Sequence, residues 1–255
     1  MNKKNVLLTT VLSAALVPMA AGMAEAAIVQ AIDPLTATQT VTRNQGSGTT
    51  VSNLANLPGT ILSNNPLNTN VTRRLSLLKQ GGVGPGTANI PTANFGPGLD
   101  FSNNAGVNSR LTLDYRGTLA GGRFRPVDFT VGGLADRITL GIILNDVALG
   151  ENTNFSVTLG SGTSTFTKTF LSNVDYSNPN NPLPIDFLFS DFTGINATAV
   201  NSFSITIDPP ANGDVSLKFL GVGNAMTTPE PTALLGLLAV AGATVTMRKK
   251  QLQSK

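Results

Sequence analysis

Between residues 107 and 226, apolar and polar residues alternate in short blocks, the period-two signature of strands buried on one face. Arg110, Leu111, Thr112, Leu113, Asp114 and Tyr115 alternate cleanly, whereas 136–144 is more continuously apolar, as a central strand is. The same pattern predicts strands at 154–159, 163–171, 185–189, 202–208 and 214–220, with another near 127–131. Roughly eight strands with turns every ~8–12 residues predict an all-β fold, an antiparallel β-sandwich with jelly-roll or Greek-key connections. Phe155, Phe166, Phe187, Phe189, Phe203 and Phe219 are its expected core aromatics. The stretch from Asp208 to Asp214, with Pro209, Pro210, Asn212 and Gly213, reads as the loop of the final hairpin.

The preceding region, 27–106, has few long periodic runs and many turn formers, such as Ser63-Asn64-Asn65-Pro66 and Gly81-Gly82-Val83-Gly84-Pro85-Gly86. It reads as a loop-rich N-terminal flank with a few short strands. Within it, residues 70–79 form an amphipathic patch that predicts a brief helix with Leu75 and Leu78 on one face.

Both ends carry a different pattern. Lys3 and Lys4 precede a short apolar stretch, 6–19, and Ala24 and Ala26 place small residues at −3 and −1 of a signal peptidase site. Residues 1–26 are therefore expected to be a signal peptide, cut before Ala27, that takes the chain into the secretion machinery. An uncleaved anchor is the alternative. No cysteine follows to carry a lipid anchor. At the other end, residues 227–255 hold Pro229-Glu230-Pro231, an uncharged apolar run at 232–247, and Arg248-Lys249-Lys250. The prolines keep the chain before the run extended. At ~1.5 Å per residue the run spans ~24 Å as a transmembrane helix, which the flanking lysines lengthen by snorkelling. The basic cluster resists translocation, so the run is expected to sit in the inner membrane with the Pro-Glu-Pro on its outer side.

In that order, and behind an N-terminal signal peptide, these residues resemble the PEP-CTERM sorting signal of Gram-negative bacteria and cyanobacteria. The resemblance covers about 25 residues at the C-terminus. It implies that Pro229, Glu230 and Pro231, with Arg248, Lys249 and Lys250, are recognised by an exosortase, a multi-pass membrane cysteine protease. That enzyme would cleave near the motif and pass the protein to the cell surface or medium, in association with exopolysaccharide and biofilm. Permanent anchoring without cleavage is the simpler rival.

Charge and composition then narrow the chemistry. Six of the 17 basic and two of the 14 acidic residues lie in the targeting segments, which leaves the exported part at a net charge of about −1. No nucleic-acid partner is expected, because phosphate affinity needs clustered Lys and Arg, and Arg123 and Arg125 around Phe124 are too few. The chain has no His, Cys or Trp. This removes the commonest general base, the thiol nucleophile and the best sugar-stacking ring. Asp186 and Asp191 are the nearest approach to a paired-carboxylate hydrolase, without a motif around either, and no catalytic residue is assigned. No cofactor is expected. Calcium on the loop aspartates Asp100, Asp208 and Asp214 is the one metal candidate, although the dense Asp-x-Asp spacing is lacking.

Two threonine rows alternate, Thr36, Thr38, Thr40, Thr42 and Thr163, Thr165, Thr167, Thr169. On strands each would present one face. The readings are a solvent face of good strand formers, a glycosylated stripe, a sugar-contacting surface or an ice-binding one. The functional expectation is an exported, non-enzymatic cell-surface or extracellular matrix protein. A carbohydrate-binding module for the organism's own polysaccharide is the alternative.

Overall fold

The computed structural model describes residues 26–44, 46–55, 57, 60–90 and 97–225. Ala24, Pro229, Glu230, Pro231, Arg248, Lys249, Lys250 and the apolar run at 232–247 lie outside the described residues. Ala26 opens the first strand. Among the described residues no helix is long and apolar enough to cross a membrane.

Among the described residues, fourteen strands build two antiparallel sheets. In chain order they are β1 (Ala26–Asp33), β2 (Gln39–Arg43), β3 (Gly48–Ala55), β4 (Thr72–Gly81), β5 (Gly86–Ile90), β6 (Leu99–Asn103) and β7 (Asn108–Arg116). They continue with β8 (Arg137–Asn145), β9 (Thr153–Ser161), β10 (Ser164–Ser172), β11 (Tyr176–Ser177), β12 (Leu183–Leu188), β13 (Val200–Asp208) and β14 (Val215–Ala225). One sheet runs β11-β8-β14-β6-β5-β2, with β1 added to β14 and β12 to β8; the other runs β10-β9-β13-β7-β4-β3. The fold is an all-β, two-sheet antiparallel sandwich.

Alternation explains the layers. In β7, β9 and β13 the odd-numbered apolar residues Leu111, Leu113, Phe155, Val157, Leu159, Phe203, Ile205 and Ile207 are buried and enter one continuous core. Ile138, Leu140, Ile142, Leu217, Leu220 and Val222 face them from β8 and β14. Each such side chain contributes roughly 1.5–3 kcal/mol of transfer free energy. Tyr115, Phe203 and Phe129 stack in sequence at centroid distances of 5.3 and 5.7 Å.

The region expected to be a loop-rich flank supplies β1 to β6, which run in both sheets. The helix expected at 70–79 is instead β4. Its burial alternates strictly because it is sandwiched between β3 and β7, and period two wins where both neighbours are strands. Leu75 is buried there and Leu78 lies on the opposite face, half-buried. Of the segment at 127–131 only a single bridge, Val127 to Val200, is strand-like; the rest turns. The final hairpin is also corrected: β13 and β14 lie in different sheets, so 209–214 crosses the sandwich. Asn212 makes that turn at φ 71°, with its backbone N–H donating to Val107 O.

Among the expected core aromatics, Phe155, Phe187 and Phe203 are buried and Phe166 and Phe189 pack against the core from its margin. Phe219 does not join them. It lies half-buried on the outer face of its sheet, with its ring where a Cβ of Gly141 would be, so only glycine fits opposite it.

Candidate functional site

A concave feature lies at one end of the sandwich, between the 60–71 loop and the 123–135 segment. Two adjoining cavities of about 330 and about 550 Å³ share Asn65 and Pro66. The first has an apolar floor of Leu57, Leu62 and Val71, with Asn68 at its rim. The second runs between Asn64, Asn65 and Pro66 on one side and Pro126, Asp128 and Val131 on the other.

Asparagines hold the walls in place. Asn68 Nδ2 donates to Leu62 O and Arg125 O, and its Oδ1 accepts from Arg125 N at 2.8 Å. Asn65 Nδ2 donates to Pro126 O at 3.0 Å, while its Oδ1 accepts from Leu67 N. Asn64 and Gln30 exchange two amide hydrogen bonds of 3.0 Å, which tie the loop to β1. An amide group has two N–H donors and two acceptor lone pairs, so among the described residues Asn65 has one of each unengaged.

Asp128 faces the same space. Its Oδ1 accepts from Thr130 N and Thr130 Oγ1, and its Oδ2 from Gly132 N, at 2.6–2.8 Å. Burial pushes its pKa up, but the Thr130 hydroxyl and the N–H groups of Gly132, Thr130 and Val131 outweigh it and hold the carboxyl below its ordinary value. The group is therefore an anion fixed in orientation. Val131 adopts φ 51°, a conformation that strains a β-branched residue. Phe129, fully buried beneath it, and the turn bonds Gly133 N to Thr130 O and Ala135 N to Thr130 O hold that geometry.

A fixed carboxylate, a half-used amide and two proline rings around an apolar floor suit a neutral, polyhydroxylated ligand. Vicinal hydroxyls can donate to Asp128 and exchange bonds with Asn65, while C–H faces lie on Pro66 and Pro126.

The residues singled out by sequence lie elsewhere. Asp186, on β12, accepts from Thr139 Oγ1 at 2.7 Å and from Arg137 Nη1 at 3.0 Å; Asp191 pairs with Lys168 at 3.3 Å. Each carboxylate is thus engaged by its own cation rather than paired with the other. Asp208 pairs with Arg110 at 2.7 Å, Asp214 accepts from Asn103 N at 2.9 Å, and Asp100 accepts from Ser216 Oγ at 2.6 Å. Among the described residues no three His, Cys, Asp or Glu side chains gather as a metal site requires.

Of the first threonine row, Thr40 and Thr42 lie on β2 and Thr36 and Thr38 precede it. Of the second, Thr163 is in the turn and Thr165, Thr167 and Thr169 share the outer face of edge strand β10. There Thr167 bonds Thr158 and Thr169 bonds Ser156 across the ladder at 2.8 Å, so the hydroxyls serve one another. The row continues through Ser204 to Asp114 and Arg74, a polar sheet face.

Two clusters escaped the sequence reading. One is the cleft, whose Asn65-Pro66 and Asp128-x-Thr130 look like ordinary turn formers until their loops are brought together. The other lies between the sheets. Asp33 accepts from Arg73 Nη1 at 2.7 Å, Tyr115 Oη at 2.8 Å and Leu35 N at 2.8 Å, while Arg73 also donates to Gln39 Oε1 and Ala37 O. Arg73 and Asp33 are 0 and 1% exposed, so this knot fastens β1 and β2 to β4 and β7 and has no access to a ligand.

No family model matches the chain, and no curated protein does. Solved structures of similar outline exist. The family 11 carbohydrate-binding module from Clostridium thermocellum, in complex with a beta-1,3-1,4-mixed-linked tetrasaccharide, aligns with 77% of this chain and 95% of its own at 11% identity and a TM-score of 0.33. TmCBM61, in complex with beta-1,4-galactotriose, aligns with 72% and 86% at 6% identity and a TM-score of 0.28. The enzymatically active domain of Bacteriophage CBA120 tailspike protein 4 aligns with 74% of this chain but 20% of its own, at 8% identity and a TM-score of 0.31. At such scores the ligands of those proteins say nothing about this cleft.

Proposed function

We propose that this chain is an exported, non-catalytic cell-surface or matrix protein whose sandwich binds polysaccharide in the cleft between the 60–71 loop and the 123–135 segment. The observation that carries the reading is the pairing there of Asp128, held ionised and fixed by three donors, with the half-used amide of Asn65 across the cavity. No imidazole or thiol exists in the chain to take up a proton beside a bound sugar. Export rests on Ala24 and Ala26 at the front, and on Pro229, Glu230, Pro231 and the cluster Arg248, Lys249, Lys250 as the substrate of an exosortase-like membrane protease.

Calorimetry and affinity electrophoresis of residues 27–228 against bacterial exopolysaccharides test the binding. Saturable binding that weakens about tenfold or more in Asp128→Ala and Asn65→Ala supports the cleft, since loss of one or two hydrogen bonds is worth ~1.4 kcal/mol or more. Saturable binding unmoved by both changes rejects the cleft, and its absence across the panel rejects polysaccharide binding. Intact mass of the protein recovered from cells tests the tail. A C-terminus near Pro229 supports processing, and one still at Lys255 supports permanent anchoring.

A further inference from the structure

The first and last strands begin and end together. β1 and β14 are antiparallel neighbours, with Ala26 opposite Ala225 and Ile28 opposite Gly223. The same row continues through Arg137, opposite Gly223, to Leu188, opposite Arg137. Asp136 N donates to Gly223 O, and this brings Leu134, two residues earlier, to the same end. Large apolar side chains stand exposed along this rim: Leu134 at 61%, and Ile28, Val29 and Leu188 at 37% each.

The rim's charges largely compensate. Arg137 donates to Asp136 at 2.7 Å and to Asp186 at 3.0 Å; its hydrogen bonds lower the Asp136 pKa.

Only residues 226–231 separate Ala225 from the apolar run at 232–247. Six residues span at most about 20 Å when fully extended. If the run lies in the bilayer, the end of the sandwich bearing Ala225 is held against the lipid surface.

We propose that the rim formed by Ile28, Val29, Leu134 and Leu188 is a membrane-seating surface, whose partner is the boundary between lipid headgroups and acyl chains. This rests on the reading of the tail as a membrane span. The contact is apolar, because the four side chains carry no charge and the neighbouring Arg137 is engaged by Asp136 and Asp186, so it persists at high salt. The cleft opens at this same end, since Asn64 is bonded to Gln30 of β1 and Leu134 follows the Asp128 turn. Seating therefore crowds the cleft while the tail is in place, and loss of the tail frees it.

The chain has no cysteine, so single labels are easily placed. The full chain is reconstituted into vesicles of phosphatidylcholine with a minor share of phosphatidylglycerol. It carries an environment-sensitive fluorophore on Leu134→Cys, Leu188→Cys, Leu149→Cys or Ala239→Cys. Leu149 is fully exposed on the loop that meets Asp214 at the opposite end, and Ala239 lies within the apolar run. The expected result is quenching by brominated acyl chains of about twofold or more at 134, 188 and 239, and none at 149. Quenching at 239 with 134 and 188 as wet as 149 overturns the proposal and spares the tail reading. No quenching at 239 overturns both. A blue shift at 134 and 188 that appears without lipid and grows with protein concentration assigns the rim to a second copy of the chain, which also overturns it.

Discussion

Asp33 and Asp128 each accept three hydrogen bonds, yet they do opposite work. Two of the donors to Asp33 come from 40 and 82 residues away, Arg73 and Tyr115, and the group is sealed between the sheets. All the donors to Asp128 come from within four residues, and the carboxylate faces a cavity. Long-range donors make a carboxylate a structural fastener, because the bonds exist only when the whole sandwich is assembled. Local donors pre-orient a carboxylate without asking anything of the core, which leaves it available to a ligand.

The sharpest test removes one side of the sealed pair. Arg73→Met leaves Asp33 buried without its cation and is expected to cost about 3–5 kcal/mol in urea unfolding, enough to unfold a marginal domain. Next, Asp128→Ala should cost about 1–2 kcal/mol, the loss of local hydrogen bonds at a partly wetted site, while polysaccharide binding falls sharply. Equal destabilisation by the two changes would falsify the contrast.

The two regions should also part company with pH. Burial and the neighbouring Asp33 charge raise the Tyr115 pKa well above 10.0, so the folded state favours the neutral phenol. Its stabilisation is complete below pH 10 and is lost as pH rises toward the folded value, and Tyr115→Phe should flatten that alkaline slope. The depressed Asp128 pKa works in reverse. Its contribution is present above the ordinary 3.8 and disappears as pH falls through the folded value, and Asp128→Asn should flatten the acid slope. Thermal melts across both ranges check each sign. The smallest effect belongs to Arg110→Ala. Its partner Asp208 is bonded on the sheet's outer face where the arginine is 41% exposed, so solvent screening keeps the loss within about 1 kcal/mol.

The later half of the sandwich was legible because β7, β9 and β13 alternate over most of their length, and a one-residue slip would turn Leu111, Val157 or Ile205 to solvent. The earlier half was not. β4 carries Arg73 and Lys79 on its inner face, where both are buried, so its pattern does not separate core from surface. Arg73 became a core residue only because Asp33, Gln39 and Tyr115 converge on it. Phe219 was misplaced for a related reason: register shifts around Leu217 in β14 rotate its ring onto Gly141 instead of into the core. The cleft had no signature at all, since Asn65, Asn68 and Asp128 are turn formers wherever they occur.

Local periodicity alone determined that residues 107–226 make strands, and the charge and hydropathy of the two ends set the expectation of export, because both properties are read over neighbouring residues. Which strands share a sheet, which carboxylate is sealed and which faces a cavity were decided only by tertiary structure. Those outcomes depend on partners tens of residues away, whose approach no local pattern encodes.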